Sequence, residues 1–362
     1  HWLINEEAYP IRNTTPDVIT LQKILYRMEK AGVTHVSMEV SSHALSLNRI
    51  AGCEFDTAIF TNLTQDHLDY HKTMESYAET KARLFSLVSA DKHSKPLKSG
   101  IINIDDSYAT IMKSFVNEKT FCPVFTYGIE NEADLQAINI KFSRQALSFD
   151  LKMDDITYSV HTKLVGRFNV YNTLAAIGAA LSEGIRIDQI ISALSTFTTV
   201  PGRFEIVDEG QPFTVIVDYA HTPDGLENIL KTTREFTKGR IITVFGCGGD
   251  RDRKKRPIMG EIAALYSDII IITSDNPRSE EPAFIISEIE DGVRKAINNG
   301  YVFSYEVLID RRDAISHAIQ IGKSGDTILI AGKGHETYQI IKDKIIHFDD
   351  REEARNIIRK CR

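Results

Sequence analysis

Cysteine is scarce in this sequence of 362 residues, and long hydrophobic runs are absent. The four cysteines form no C-x-x-C pair, which excludes a disulfide scaffold and a structural zinc site and favours a reducing compartment. The longest apolar runs, such as Ile269–Ile272, are far shorter than the roughly 20 residues that span a bilayer. The first residues also lack the basic and apolar regions of a signal peptide. We therefore expect a cytoplasmic protein without membrane insertion.

An excess of charge of either sign is missing as well. The chain carries 43 lysines and arginines against 50 aspartates and glutamates, which gives a formal net charge of −7. This mild balance provides no overall field that would attract nucleic acid or an anionic membrane. Hydrophobic residues make up 42% of the chain, enough for packed cores, and the length favours two domains.

The second half of the chain alternates short β-branched runs with helical patterns, which is typical of parallel α/β sheets. Each run is continuously apolar, as expected where helices cover both faces of a sheet. The predicted strands are Thr214–Val217, Ile241–Phe245, Ile269–Thr273, Tyr305–Ile309 and Thr327–Ala331. Helices are predicted over 224–237, 257–266, 283–299 and 311–321, followed by a hairpin of Tyr338–Lys342 and Ile345–Phe348 and a helix over Glu352–Lys360.

The first half is also α/β but less regular. Its predicted strands are His35–Val40, Thr57–Thr61 and Gly100–Ile104, and its predicted helices are 17–31, 74–88, 106–116 and Val170–Glu183. Alternating apolar residues from Leu135 to Leu164 predict an antiparallel meander. We place the domain boundary at Thr198–Pro201, which gives domains 1–199 and 200–362. The fold class is therefore α/β, with a mostly parallel central sheet and a small meander, followed by a Rossmann-like domain.

Two polar clusters follow predicted strands in the first half. Glu39-Val40-Ser41-Ser42-His43 ends one strand, and the run from Thr61 to His71 ends another. Open α/β sheets bind their ligands at the carboxyl ends of strands. Such polar groups also cap helices and satisfy turns, but two successive clusters favour a ligand site.

These clusters, together with six further strings in order, closely resemble the Mur ligases, which add amino acids to the nucleotide-linked precursor of bacterial peptidoglycan. The strings are GRFNVYN at 166–172, PGRFE at 201–205, VDYAHTPD at 217–224, GCGGDRD at 246–252, DNPR at 275–278 and GKGHE at 332–336. The resemblance extends over essentially the whole chain. It is closest to the members that add the third peptide residue.

The resemblance implies an ATP-dependent amide ligase with an ATP-binding central domain. Such enzymes transfer the γ-phosphoryl group of ATP to a substrate carboxylate, and an amine then attacks the acyl phosphate. By resemblance, Glu39 and His67 bind Mg²⁺, and a carbamylated Lys81 helps to hold a second Mg²⁺. A carboxylate suits the preference of Mg²⁺ for hard ligands. The alternative for Lys81 is a solvated surface lysine.

The resemblance also assigns residues to ATP. Asn169 and Asn172 would contact the adenine, Arg203 the phosphates and Asp218 the ribose. The full set is Asn103, Asp105, Asn169, Asn172, Arg203 and Asp218. Asn169 is also a candidate N-cap of the helix that follows it, and capping is compatible with a base contact.

Among Mur ligases, Asp-Asn-Pro-Arg resembles the mark of members that use meso-diaminopimelate. Arg278 offers a bidentate fork for the additional carboxylate of that amino acid. The alternative is a salt bridge from Arg278 to Glu280 or Glu281. The implied amino-acid pocket comprises Arg251, Asp275, Asn276, Arg278, Gly332 and Glu336, and the residues that resemble those gripping the UDP-N-acetylmuramoyl dipeptide are Thr14, Thr15, Ser41 and Arg49.

One family feature is missing from this chain. The loop G-x-x-G-K-[ST], which wraps the phosphates of ATP, would lie upstream of Thr14, as would the domain that binds the UDP sugar. We therefore expect this polypeptide alone to be inactive or nearly so. We also expect a monomer whose partners are small molecules. The competing hypotheses are a ligase of the folylpolyglutamate synthetase type and a non-catalytic binding module.

Overall fold

The computed structural model describes residues 2–5, 7–9, 13–90, 98–117, 122–143, 146–198 and 200–361. The chain forms two compact units. The first comprises His1–Ile140, Phe149–Val160 and Val170–Ala193, and the second comprises Lys141–Ser148, His161–Asn169 and Leu194–Arg362. The domain boundary near residue 200 stays a prediction, and residue 199 itself lies outside the described residues. No helix in the described part of the chain is long and apolar enough to cross a membrane.

Residues up to 196 form strands β1–β8 and helices α1–α7. The strands are β1 (Trp2–Ile4), β2 (Glu7–Tyr9), β3 (Thr57–Phe60), β4 (Ser99–Asn103), β5 (Val124–Gly128), β6 (Leu135–Phe142), β7 (Leu147–Met153) and β8 (Ile156–Thr162). The helices are α1 (Val18–Lys30), α2 (Ser42–Ser46), α3 (Leu68–His71), α4 (Met74–Val88), α5 (Ala109–Ser114), α6 (Arg167–Ser182) and α7 (Ile187–Thr196).

A six-stranded sheet has the order β3-β4-β5-β6-β7-β8. Strands β3 to β6 pair in parallel. Short connections join β6 to β7 and β7 to β8, and such connections are too short for a parallel crossover. The last three strands therefore form the antiparallel meander that the alternation predicts.

The strand predicted over His35–Val40 is wrong. Residues 33–41 form no strand, and Val36 in the middle is exposed. A strand needs a hydrogen-bonded neighbour, and β3 at the edge of the described sheet pairs with β4 alone. The apolar alternation of this segment therefore does not produce a strand, because no strand among the described residues pairs with it.

Helix α4 forms because its sequence combines a cap with an apolar face. The Thr73 side chain accepts a hydrogen bond from the Ser76 N–H and caps the helix. The buried residues of α4, which repeat with helical spacing and pack on β3 and β4, are Tyr77, Ala78, Ala82, Phe85 and Val88. This orientation places Lys81 at the margin of the buried face, one turn after Tyr77.

The remaining residues form strands β9–β16 and helices α8–α12. The strands are β9 (Glu205–Ile206), β10 (Thr214–Asp218), β11 (Ile241–Phe245), β12 (Ile269–Ile272), β13 (Ser304–Val307), β14 (Thr327–Ala331), β15 (Tyr338–Ile341) and β16 (Lys344–His347). The helices are α8 (Pro223–Phe236), α9 (Lys255–Tyr266), α10 (Pro282–Asn298), α11 (Arg311–Ile321) and α12 (Asp350–Lys360). All five strands and four helices predicted between residues 214 and 331 are present.

The sheet of the second unit has the order β13-β12-β11-β14-β10-β9. Strands β10 to β14 pair in parallel, and β9 is antiparallel to β10. Alternate side chains enter two cores: Ile216 packs with α8, α9 and α10, whereas Val215 and Val217 pack with α11 and α12. Helices therefore cover both faces, which explains the continuously apolar strands and confirms the predicted α/β class.

The chain adds β11, β12 and β13 in one direction and then returns, so that β14 lies between β10 and β11. The strand order therefore reverses at β14. In such open sheets, ligands bind outside the carboxyl ends of the strands at the point of reversal. The sequence strings beginning at Val217, Gly246, Asp275 and Gly332 lie at the carboxyl ends of β10, β11, β12 and β14. The fold therefore gathers these strings at one edge.

A buried ion pair ties three elements of the second unit together. Arg311 at the start of α11 donates from Nε and Nη2 to the two carboxylate oxygens of Asp350, both at 2.7 Å. Its Nη2 also donates to the Ala331 carbonyl oxygen at the end of β14. Both side chains of the pair are fully buried. The adjacent pair of Arg312 and Glu353 has an exposed arginine.

We predict that Arg311→Met lowers the free energy of unfolding by about 3–5 kcal/mol, because it leaves the Asp350 carboxylate buried without its partner. Arg312→Met is the matched control and should cost less than about 1 kcal/mol, since it breaks an exposed pair. Urea denaturation measures both values. A loss for Arg311→Met no larger than that of the control would contradict the prediction.

Candidate active site

Three of the four residues predicted to bind the dipeptide share one hydrogen-bond network in the first unit. The Thr15 hydroxyl donates to the Glu39 carbonyl oxygen (2.9 Å) and accepts from the Ser41 N–H (3.1 Å). Arg49 donates from Nη1 to the Thr15 carbonyl oxygen (3.2 Å). Thr14 is exposed and directly precedes Thr15. The structure therefore brings Thr15, Ser41 and Arg49 together with the backbone of Glu39.

Imidazole and phenol rings form a cluster around His67, which we call the imidazole–tyrosine cluster. The ring centroid of His67 lies 5.0 Å from that of His43 and 5.9 Å from that of Tyr77. His71 stacks on Tyr77 at 5.0 Å, and its Nε2 lies 2.8 Å from the Ser42 hydroxyl. Sequence reasoning selected His67 alone. The four-residue spacing of His67 and His71 was the signal for the second histidine.

Lys81 lies beside this cluster and is half-buried. Its Nζ is 5.7 Å from the centre of the Tyr77 ring, because the two residues are four apart on α4. Burial lowers the pKa of the Lys81 amine, although the charges of Glu39 and Asp66 act in the opposite direction. Burial and the same two carboxylates raise the pKa of Tyr77 to about 12. Lys81 is therefore not a fully solvated surface lysine.

The donor set of this region is incomplete for a metal ion. Among the described residues, no group of three or more histidine, cysteine, aspartate or glutamate side chains could hold a metal. His67 Nε2 lies 3.7 Å from Asp66 Oδ2. The negative charges of Asp66 and Glu39 both raise the pKa of Lys81. The set fits Mg²⁺ only with further oxygen ligands.

Asn103 and Asp105 use their side chains to fix the loops after β4 and β5. The Asp105 carboxylate accepts hydrogen bonds from the N–H groups of residues 129–131, the Asn131 amide and the Tyr171 hydroxyl, all within 2.6–2.9 Å. Burial raises the pKa of Asp105, but these hydrogen bonds outweigh it and lower the pKa. The Asn103 amide donates to the Thr61 carbonyl oxygen (2.8 Å). Contact of either side chain with adenine stays a prediction.

The predicted start of the helix after Asn169 is wrong, because α6 begins at Arg167. Asn169 is therefore inside the first turn and is not the N-cap. Its side-chain amide donates to the Val165 carbonyl oxygen (2.8 Å) and is buried. Asn172 follows one turn later on α6 and is exposed.

In the second unit, Asp218 binds the turn that carries Arg203. Its two carboxylate oxygens accept from the N–H groups of Phe204 (2.7 Å) and Ala220 (2.8 Å). Burial raises the pKa of Asp218, and these hydrogen bonds and the nearby Arg203 only partly oppose that effect. The Arg203 guanidinium lies 4.8 Å above the Tyr219 ring. The structure therefore brings together Arg203 and Asp218, both predicted to bind ATP.

Backbone contact fixes this turn against the loop after β14. A Cβ atom on Gly202, which has φ +67°, would lie 2.0 Å from the His335 nitrogen. A Cβ atom on Gly334, with φ +52°, would lie 2.6 Å from the Gly202 carbonyl oxygen. Only glycine provides both the left-handed conformation and the required space.

Asp275, Asn276, Lys333 and Glu336 form a buried acid–lysine cluster at the ends of β12 and β14. The Asn276 amide donates to Glu336 Oε2 (2.8 Å), and Lys333 Nζ lies 3.2 Å from the same oxygen. A Cβ atom on Gly332 would lie 3.3 Å from Asp275 Oδ2, so the backbone of this glycine borders the cluster. Sequence reasoning missed Lys333, although it lies inside the string GKGHE.

Arg278 lies in the left-handed conformation, with φ +50°, and is partly exposed. Among the described residues its guanidinium makes one hydrogen bond, from Nη1 to the Gly249 carbonyl oxygen (2.6 Å). The alternative of a salt bridge to Glu280 or Glu281 is wrong, because Glu280 pairs with Arg256 and Glu281 with Lys342.

Arg251 lies on the neighbouring loop, away from the buried cluster. It is exposed, and its Nη1 donates to the Asp250 carbonyl oxygen (3.1 Å). Its Cγ borders the same glycine, Gly248, as the Arg278 guanidinium. The structure therefore places the two arginines near one glycine and does not bring Arg251 into the cluster.

Arg256, which sequence reasoning missed, holds the loops around Arg278 in place. Its side chain is fully buried and donates to both carboxylate oxygens of Glu280, at 2.9 and 2.8 Å. Glu280 also accepts from the Asp250 N–H (2.7 Å). These hydrogen bonds, with the largest effect from Arg256, lower the pKa of Glu280 to about 2. The role of Arg256 in holding these loops is recognised from its complete burial, which the sequence does not show.

We predict that Glu280→Gln lowers stability at neutral pH by about 1–3 kcal/mol. The folded-state pKa of Glu280 lies below its ordinary value of 4.5. Its contribution is therefore fully present above about pH 4.5 and is lost as the pH falls toward about 2. Urea denaturation between pH 7 and pH 2 should show the wild type and the variant converging at acid pH.

Glu281→Gln is the matched control, since this neighbouring carboxylate is exposed and pairs with the exposed Lys342. It should change stability by less than about 1 kcal/mol at every pH. A constant difference between Glu280→Gln and the wild type from pH 7 to pH 2 would contradict the assigned pKa.

Two family models match the chain. Residues 1–180 match the Mur ligase middle domain, and residues 202–334 match the Mur ligase glutamate ligase domain. The chain is 48% identical over 355 residues to the UDP-N-acetylmuramoyl-L-alanyl-D-glutamate–2,6-diaminopimelate ligase of Bacillus cereus. That alignment covers 98% of this chain and 70% of the relative. This chain is also 48% identical over 359 residues to the ligase of the same name from Geobacillus thermodenitrificans. That alignment covers 99% of this chain and 72% of the relative.

Solved structures agree with these matches. A structure of a UDP-N-acetylmuramoyl-L-alanyl-D-glutamate–2,6-diaminopimelate ligase has a TM-score of 0.64 and 38% identity, and it covers 96% of this chain and 69% of that chain. A Mycobacterium tuberculosis folylpolyglutamate synthase has a TM-score of 0.59 at 19% identity, covering 76% and 61%, which is a likeness of fold alone.

Proposed function

Because the chain belongs to the Mur ligase family, we propose that it is an ATP-dependent, ADP-forming amide ligase of peptidoglycan synthesis. It joins meso-2,6-diaminopimelate to the D-glutamate of UDP-N-acetylmuramoyl-L-alanyl-D-glutamate, and it acts in the cytoplasm as a monomer. The observation that carries the proposal is Arg278. This arginine leaves Glu280 and Glu281 to other partners and lies partly exposed at the ligand edge of the sheet.

The reaction has two steps whose atoms balance. A carboxylate oxygen of the D-glutamate attacks the γ-phosphorus of ATP, which gives an acyl phosphate and ADP. An amine of diaminopimelate then attacks the acyl carbon, a C–N bond forms, the C–O bond to phosphate breaks, and the amine loses a proton. Positioning and charge stabilisation supply most of the catalysis in such a transfer.

The first unit would hold the dipeptide and the metal. Thr15, Ser41 and Arg49 form a rigid network beside Glu39, and the exposed Thr14 extends it. Glu39 and His67 would hold Mg²⁺, which neutralises phosphoryl charge when bound. The imidazole–tyrosine cluster orients His67 through ring contacts with His43 and Tyr77.

Lys81 would complete the metal ligands as a carbamate. Carbon dioxide adds to an unprotonated amine, and burial lowers the pKa of Lys81 toward that state. The carbamate supplies two oxygen atoms, which are the ligands that Mg²⁺ prefers. The charges of Glu39 and Asp66 both influence the pKa of Lys81, so the lysine lies near these carboxylates, which supports this proposal.

We predict that the natural protein carrying this sequence shows a carbamate carbon signal in ¹³C NMR after equilibration with ¹³C-bicarbonate. Lys81→Gln should lose this signal and lower ligation at least about 100-fold, the order of magnitude for removing one charge-stabilising group. Lys72→Gln, a change of an exposed lysine, should keep both. A signal that persists in Lys81→Gln would contradict the assignment.

The nucleotide residues divide into two kinds. Arg203 and Asp218 would contact the phosphates and the ribose, and their shared turn supports a common ligand. Asn169 and Asn172 on α6 would contact the adenine. Asn103 and Asp105 would act as positioning residues in the first unit, since Asp105 holds residues 129–131 in place.

The amino-acid pocket would bind both the distal carboxylate and the distal ammonium of diaminopimelate. Arg278 would bind the distal carboxylate with a bidentate fork. Asp275 and Glu336 would accept the distal ammonium, supported by Asn276 and by the close backbone of Gly332. The exposed Arg251, on the loop beside Arg278, would bind a second carboxylate.

The test is a ligation assay with the natural protein that carries this sequence. We predict ADP release with the UDP-linked dipeptide and meso-diaminopimelate, and release at least tenfold slower with L-lysine, which lacks the distal carboxylate. Glutamate with tetrahydrofolate should give none. Activity with the folate pair would favour a folylpolyglutamate synthetase instead, and ATP binding without any ligation would favour a binding module.

Arg278→Ala tests the pocket. It should raise the KM for diaminopimelate about 10- to 100-fold, the equivalent of losing a charge-assisted hydrogen bond, and leave the KM for ATP unchanged. Arg294→Ala, an exposed arginine of α10, is the control. An unchanged KM for diaminopimelate in Arg278→Ala would refute the assignment of Arg278 to the distal carboxylate.

A further inference from the structure

Lys333 is a fully buried cation at the end of β14. Its Nζ lies 3.2 Å from Glu336 Oε2, 3.3 Å from Asn276 Oδ1 and 3.6 Å from Asp275 Oδ1. The ring of Tyr338 lies 5.5 Å away on another side. A buried ammonium is costly unless it is paired, so each of these contacts stabilises Lys333.

The backbone explains how a lysine comes to point inward here. Its neighbours Gly332 and Gly334 have φ values of +118° and +52°, conformations that a side chain would strain. The Glu336 N–H donates to the Lys333 carbonyl oxygen (2.9 Å), which turns the loop back onto itself. The string GKGHE thus encodes a tight loop that places Lys333 between the two acids.

The charges of the cluster do not cancel. Asp275 and Glu336 contribute two negative charges, and Lys333 contributes one positive charge. Arg311 lies near both acids, but its own charge is matched by Asp350. Asp275 Oδ1 is buried and, among the described residues, accepts no hydrogen bond. Buried polar atoms normally have partners, so the cluster lacks one hydrogen-bond donor.

We propose that Lys333 is a positioning residue for the amino-acid substrate. It holds the carboxylates of Asp275 and Glu336 at a fixed separation, and it leaves the cluster one positive charge short. The distal ammonium of diaminopimelate then completes the cluster and donates to Asp275 Oδ1. This inference rests on the proposed function, and it assigns Lys333 an indirect role through the two acids.

The experiment compares Lys333→Met with the wild type in the natural protein that carries this sequence. Without the lysine, the two carboxylates repel each other with no cation between them and no longer keep the separation that binds an ammonium group. The KM for meso-diaminopimelate should rise at least tenfold, while the KM for ATP and kcat at saturating diaminopimelate stay within threefold. Lys323→Met, which removes an exposed lysine before β14, should change none of these values.

Two further variants separate positioning from folding. Lys333→Gln keeps hydrogen bonds to Glu336 without the charge and should behave like Lys333→Met. Lys333→Arg keeps the charge and should recover most of the lost affinity. If both neutral variants fail to fold while Lys333→Arg folds, the lysine serves folding alone, and the proposal is overturned.

The outcome also distinguishes this inference from the proposed function. If the wild type does not ligate meso-diaminopimelate, the proposed function is wrong. If the wild type ligates it and a folded neutral variant has an unchanged or lower KM, the function stands and Lys333 is not a positioning residue. A fall in kcat with an unchanged KM likewise overturns the inference, because it reports a smaller active fraction.

Discussion

A parallel sheet that is covered by helices on both faces must end all its strands at one edge, and the second unit depends on this constraint. Burial on both faces makes the interiors of β10, β11, β12 and β14 mainly apolar, so charged groups lie where the strands end or in the loops that follow. Asp218, Asp275, and Lys333 and Glu336 of the loop after β14 therefore gather at that edge. The same packing that stabilises the unit gathers the residues of its candidate site.

The sequence predicted the strands and helices of this unit well, because each buried strand there is also a short run of mainly apolar residues. The strand Ile241–Phe245 and the helix Arg311–Ile321 begin and end as predicted. The first half was harder. Residues 35–40 alternate like a strand, yet a strand requires a neighbour that no local pattern reveals. Helix α6 begins before Asn169, whose side-chain amide donates backward to the Val165 carbonyl oxygen, a contact that a capping preference could not anticipate.

For the candidate site, too, some features could be predicted from the sequence and others could not. Motifs selected most residues of the candidate site, because polar strings after apolar strands are visible in a sequence. The contacts were not visible. Lysine and arginine are usually exposed, so the buried Lys333 and Arg256 gave no signal of their importance. Asp105 shows the converse: its motif suggested a ligand, whereas the structure gives its carboxylate five hydrogen bonds to the protein.

Arg278 carries a further consequence through its backbone. An L-residue other than glycine or asparagine costs roughly 1–2 kcal/mol in the left-handed conformation that it adopts. Glycine or asparagine would relieve that strain and remove the guanidinium. Under the proposed role of Arg278, stability and substrate choice thus oppose each other at a single position. A lineage that no longer needed an arginine here would gain stability by replacing it with glycine or asparagine.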